Sequence, residues 1–207
     1  MSKTQVYRGL LAILGIIGVS MQLYQDGFGM LLYYTVLSNI LVFSFLLYLI
    51  SWERKNGSIN QNNPLLVQKA AVTMAITITF LVYHFLLAPK VKPEDYYNIR
   101  NFIVHYIVPV GLICDTLILD KVKVYRWFSP FVWTALPLAY FVFAIGNGLF
   151  LKWPIPGSED SPFPYFFINM NKYGGLTVLK NALVILLAYV AVGYLLVFLK
   201  RFIGQRH

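Results

Sequence analysis

Residues 30–51 read MLLYYTVLSNILVFSFLLYLIS, a stretch without a single charged side chain. A helix of that length, rising about 1.5 Å per residue, spans a hydrocarbon core about 30 Å thick. The stretch therefore reads as one membrane crossing. The polar residues inside it, Thr35, Ser38 and Asn39, are spaced i, i+3, i+4 and so share one helix face. Five more apolar runs of similar length flank it, at residues 6–24, 67–88, 99–119, 128–150 and 177–199. The chain has 207 residues, 58% of them hydrophobic and 12% charged, with a mean hydropathy of +0.65. That balance lies outside the range of soluble domains. These readings predict an all-α integral membrane protein, a bundle of six transmembrane helices forming a single transmembrane domain over residues 1–207.

The formal net charge of +9 does not point to nucleic acid, because the basic residues sit in short loops and at chain ends rather than in one patch with interleaved aromatics. Their distribution speaks to topology. Eleven of the 17 Lys and Arg fall on the side of the amino terminus: Lys3, Arg8, Arg54, Lys55, Lys69, Lys121, Lys123, Arg126, Lys200, Arg201 and Arg206. By the positive-inside rule both termini are expected to be cytoplasmic. The first apolar run begins like a signal peptide but lacks a clear small-residue cleavage site, so it is read as a retained helix.

The lone Cys114 excludes an intrachain disulfide, no Cys/His spacing of metal-ligand type occurs, and no cofactor is implied. Asp115, near the inner end of the fourth run, reads as a helix-end partner for Lys121 or Lys123, or as a structural polar contact. Residues 152–175 combine Pro154, Pro156, Pro162 and Pro164 with Trp153, Phe163, Tyr165, Phe166 and Phe167, a mixture suited to a membrane interface. This outer loop either rests on lipid headgroups or covers the mouth of the bundle. No internal repeat or half-to-half symmetry supports a transporter.

Polar residues within membrane helices are costly and mark a site by default, although Ser, Thr and Asn also bond helices together. Thr35 and His105 each lie about six residues, or roughly 9 Å, past the outer start of their runs, so they are expected at matched depth. His105 shares a helix face with Asn101, and Pro109 follows four residues later, where its ring should bend the helix. Ser38, Asn39, His84, Asn101 and Asn147 fall in the same outer half. Helix geometry removes other pairings. Cys114 is nine residues from His105 and faces the opposite way, and Thr77 is about 10.5 Å along the axis from His84. Thr35 with His105 has the logic of a hydroxyl nucleophile beside a general base.

The segments Tyr33-Tyr34-Thr35-Val36-Leu37-Ser38-Asn39, His105-Tyr106-Ile107-Val108-Pro109 continuing to Asp115, and Phe163-Pro164-Tyr165-Phe166-Phe167 followed by Gly174 carry a family resemblance. In motif order and segment number the chain resembles bacterial six-helix relatives of the androgen-induced and androgen-dependent membrane hydrolases. The resemblance implies that Thr35 and His105 are a catalytic pair, that the substrate is a fatty acid ester of a hydroxy fatty acid or a related membrane lipid, and that the protein resides in a bacterial cell membrane.

On this reading His105 takes the Thr35 proton and the Thr35 oxygen attacks an ester carbonyl. Asn39 is the first candidate for donating to the oxyanion, followed by Ser38 and Asn147, with His84 and Asn101 in supporting roles. Lys90, Lys92 and Arg100, at the outer interface, are candidates for holding a substrate carboxylate; otherwise they snorkel to headgroups. The alternative is a non-catalytic lipid-binding or carrier protein using the same polar layer. A proton- or ion-coupled transporter stands third. Oligomeric state is not legible.

Overall fold

A computed structural model describes residues 1–206. It contains six helices long and apolar enough to cross a membrane: α1 (Lys3–Asp26), α2 (Tyr34–Asn56), α3 (Asn63–Lys90), α4 (Ile99–Leu119), α5 (Ser129–Leu151) and α6 (Gly175–Leu199). Their ends follow from local chemistry. Ser2 and Gln5 form a reciprocal capping box at the start of α1, and Gly27, at φ +82°, ends it. Asn62 caps α3 ahead of Pro64, whose missing N–H costs nothing in a first turn. Gly57 and Gly174, both at positive φ, bound α2 and α6.

The core has two parts joined by α3. Leu11 and Ala12 of α1, Val42 and Leu46 of α2, Val72 and Ile76 of α3, and Val104, Val108 and Leu112 of α4 make one cluster. Ala70 and Met74 of α3 meet Trp133 of α5 and Tyr189, Leu196 and Val197 of α6 in the second. Close approach of α1 to α4 depends on Gly18, where a Cβ would lie 2.6 Å from Ile103 Cγ2 and 2.8 Å from Val104 Cγ1. That contact seats the turn carrying His105.

At the pole bearing the amino terminus, helices are tied by a buried ion network. Arg8 Nε lies 2.9 Å from Asp115 Oδ2, and Arg8 Nη1 lies 2.9 Å from Glu53 Oε1. Lys69 Nζ bridges Asp115 at 2.9 Å and Asp120 at 2.6 Å. The sequence-based pairing of Asp115 with Lys121 or Lys123 is therefore replaced. Asp115 turns into the bundle toward α1 and α3, where Arg8 and Lys69, fully buried, would otherwise carry uncompensated charge.

The helices are not uniformly α. Wide, five-residue-repeat turns occur at Tyr83–Leu87, Ile103–Ile107, Asp115–Leu119 and Asn147–Leu151. The second answers the expectation attached to Pro109: the Val108 N–H reaches back to the Ile103 carbonyl, and the helix absorbs the proline through a widened turn centred on His105.

Candidate functional site

Thr35 does not lie six residues into its helix. A short 3₁₀ turn, Phe28–Leu32, precedes α2, which starts at Tyr34, so Thr35 stands in the first helical turn. The reason is local: Gly27 and Gly29 let the chain turn tightly, and a Cβ at Gly29 would meet Pro156 of the outer loop at 2.6 Å. His105 does stand six residues past the start of α4.

The structure brings the two side chains together. Thr35 Oγ1 is 3.3 Å from His105 Nε2, and both residues are buried. His105 Nδ1 lies 3.1 Å from the Asn101 carbonyl. A carbonyl can only accept, so Nδ1 carries the hydrogen and Nε2 presents a lone pair to the Thr35 hydroxyl. The Tyr83 ring stacks on the imidazole with centroids 3.7 Å apart and an interplanar angle of 19°. The Tyr83 hydroxyl is in turn bonded to the Asn101 amide. Asn101 thus supports His105 through its backbone oxygen, and its side chain positions the ring that covers the imidazole.

Two cavities meet at this pair. The first, about 210 Å³, is enclosed by apolar side chains of α3, α5 and α6, including Ile78, Val82, Phe141, Leu183 and Leu186. The second, about 490 Å³, is lined by His105, Gln22, Lys90, Lys92, Asp95 and the loop residues Ser158, Glu159 and Asp160. Thr35, Tyr83, Leu87 and Tyr165 belong to the walls of both. The hydroxyl of Thr35 therefore sits where an apolar space joins a polar one, and the apolar space opens toward α5 and α6 rather than between α2 and α4.

The outer loop contributes to both walls. Tyr165, Phe167 and Ile168 face the apolar cavity, and residues 157–160 with Pro164 and Phe166 border the polar one. The Tyr165 hydroxyl accepts from the Tyr34 N–H at 3.1 Å, capping the first turn of α2 beside Thr35. Burial pushes the Tyr165 phenol up, so it stays protonated and keeps a hydrogen to donate. Tyr83 and Tyr165 were both missed as site residues from sequence. Tyr165 lies within the Phe163-Pro164-Tyr165-Phe166-Phe167 segment, but Tyr83 carries no signal beyond being an aromatic one residue before His84.

Other expected participants are differently employed. Asn39 donates both amide hydrogens, to the Thr35 carbonyl at 2.8 Å and the Val104 carbonyl at 3.0 Å, so it has no hydrogen left for an oxyanion. It joins α2 to α4 immediately behind the pair. The Ser38 hydroxyl lies 3.1 Å from the Thr35 carbonyl and 2.8 Å from Thr79 Oγ1. His84 pairs with the Tyr106 hydroxyl at 3.2 Å, on the exposed side of the wide turn, and borders neither cavity. Asn147 anchors the outer loop through the Trp153 and Pro162 carbonyls and the Trp153 N–H. Arg100 is held by Asp26, whereas Lys90 and Lys92 border the polar cavity, with Lys90 Nζ 3.4 Å above the Phe166 ring. No family model matches the chain, and no curated protein or solved structure matches it either.

Proposed function

We propose that this protein is an intramembrane lipid ester hydrolase in which Thr35 is the nucleophile and His105 the general base. The observation that carries the reading is the 3.3 Å approach of Thr35 Oγ1 to a His105 Nε2 whose tautomer is set by the Asn101 carbonyl. As Thr35 Oγ1 bonds to the ester carbon, its proton passes to Nε2; the imidazolium then returns that proton to the departing alkoxide. Water, deprotonated by the same nitrogen, cleaves the resulting acyl-threonine and releases the acid.

The two joined cavities suit a substrate with an apolar chain on one side of its ester and a polar group on the other. The chain enters between α3, α5 and α6. Lys90 and Lys92 offer positive charge to a carboxylate in the polar cavity, a role not extended to Arg100. In place of Asn39, Tyr165 is the proposed oxyanion donor, because it shares a wall with Thr35 and retains its hydrogen. This activity agrees with the resemblance to androgen-induced and androgen-dependent membrane hydrolases and with a fatty acid ester of a hydroxy fatty acid as substrate. The basic-residue distribution supports cytoplasmic termini and a paired site in the outer half of the membrane, and the family resemblance supports residence in a bacterial cell membrane.

The test is labelling of the purified protein with a serine-reactive fluorophosphonate, alongside lipid ester hydrolysis. Labelling is expected for the wild type and lost in Thr35→Ala and His105→Ala. Equal labelling of all three proteins removes the hydrolase reading. The apolar cavity also fits a non-catalytic lipid carrier, which would retain lipid in Thr35→Ala and turn over none.

A further inference from the structure

At the opposite pole from Thr35, a separate cavity of about 270 Å³ is lined by Lys123, Tyr125, Val197, Lys200 and Arg201. Three of these five side chains are cationic and none is acidic. The loop after α4 and the segment after α6 are zipped together to make it. The Lys123 N–H donates to the Lys200 carbonyl at 2.9 Å, the Val122 N–H to the Gln205 carbonyl at 3.1 Å, and the Gln205 N–H to the Asp120 carbonyl at 3.1 Å. Lys123 adopts φ +60° in this arrangement, a left-handed conformation that a lysine enters at a cost.

Two donors at the cavity are buried with bonding capacity unspent. The Lys200 ammonium, 1% exposed, gives hydrogens to the Leu117 carbonyl at 3.2 Å and the Asp120 carbonyl at 2.7 Å, leaving one of three. The buried Tyr125 hydroxyl has no hydrogen-bond partner among the described residues. Among the described residues no carboxylate pairs with Lys123, Lys200 or Arg201. The nearby Asp115 pairs with Arg8 and Lys69, and Asp120 meets the same two cations through Oδ1, its Oδ2 having no hydrogen-bond partner among the described residues. Three cations gathered at one cavity repel one another, and the third Lys200 hydrogen and the Tyr125 hydroxyl have no acceptor among the described residues.

We propose that this cavity is a phosphate-binding site. A phosphate presents several acceptor oxygens and negative charge, matching two ammonium groups, a guanidinium and a phenol. Phosphate reaches this position from two sources, the headgroup of an anionic phospholipid or free phosphate. The cavity lies at the ends of α4 and α6, the level of a lipid headgroup. Val197 and the exposed Leu195 and Phe198 of α6 continue from it along a surface suited to an acyl chain.

The experiment measures retention of radiolabelled phosphatidate and of phosphatidylcholine by the purified full-length protein in detergent, with inorganic phosphate as competitor. Phosphatidate is expected to bind about tenfold or more tightly than phosphatidylcholine, as one lost charge-assisted contact corresponds to roughly that factor. Lys123→Gln with Arg201→Gln, both exposed positions, is expected to weaken binding about tenfold or more. Tyr125→Phe should weaken it a few-fold. Competition by inorganic phosphate assigns free phosphate as ligand; phosphatidate retention that phosphate does not displace assigns the headgroup. Equal retention of the two lipids without any effect of phosphate overturns the proposal, as does binding unchanged in the double variant.

Discussion

The Tyr83 ring lies flat on the His105 imidazole, with centroids 3.7 Å apart. This stacking joins two wide helical turns, Tyr83–Leu87 of α3 and Ile103–Ile107 of α4, across the wall of the polar cavity. The imidazole is held on three sides: by Tyr83 over its face, by the Asn101 carbonyl at Nδ1, and by Thr35 at Nε2. Such positioning limits the rotations available to His105 and keeps one nitrogen aimed at the threonine hydroxyl.

The stack separates positioning from chemistry. Tyr83→Phe retains the aromatic face and is expected to keep most fluorophosphonate labelling, whereas Tyr83→Ala frees the imidazole and slows it. His105→Ala removes the base and should slow labelling by about 10²-fold or more. Rates of labelling for the three variants check the order; an undiminished rate in Tyr83→Ala would leave the stack without a positioning role.

Asn39 is expected to matter for stability. Asn39→Leu removes the donors that satisfy the Thr35 and Val104 carbonyls, at a cost of about 1–2 kcal/mol. Thermal unfolding in detergent should show a lower midpoint, and the loosened α2–α4 contact should also reduce labelling of Thr35.

The ion network predicts non-additivity. Lys69→Met leaves Asp115 and Asp120 side by side with less compensation, and about 3–5 kcal/mol of destabilisation is expected. Combining it with Asp120→Leu removes one of those carboxylates and should recover a large part of the loss. A double-mutant cycle of unfolding midpoints measures the coupling.

A different steric test concerns the outer loop. A Cβ at Gly148 would overlap the ring of Phe163, which is fully buried and packs with Ala144, Ile168 and Val178. Gly148→Ala is expected to displace Phe163 and increase proteolysis within residues 152–165. Lipid retention in the apolar cavity should fall with it, since Tyr165, Phe167 and Ile168 form part of its wall.

Lys200 should leave a pH signature. Burial lowers its pKa from 10.5 to about 8; Asp120 opposes this, and Lys69 adds to it. Lys123 and Arg201 share its cavity with the Tyr125 phenol, itself held protonated by burial. The unfolded lysine holds its proton up to about 10.5, so between pH 8 and that value the unfolded state binds more protons and stability rises with pH. In phosphate-free buffer, the unfolding midpoint of the wild type should climb over this window relative to Lys200→Gln. A constant difference between the two would contradict the lowered value.

The six apolar helices were legible because a membrane imposes a one-dimensional rule: long runs with few charges, bounded by turns and basic loops. Residues 30–51, 99–119 and 177–199 satisfy it from composition alone, and the shared face of Asn101 and His105 follows from helical periodicity. Periodicity along one helix says nothing about the rotation of its neighbour. Only the packing of α2 against α4, with Gly18 of α1 pressed behind Ile103 and Val104, decides that Thr35 and His105 face each other. Packing likewise spends the Asn39 amide on two carbonyls, draws Asp115 away from the nearby loop lysines, and carries Tyr165, 130 residues downstream, to the first turn of α2. Those pairings depend on rotation and separation between helices, which side chains from the whole chain set together.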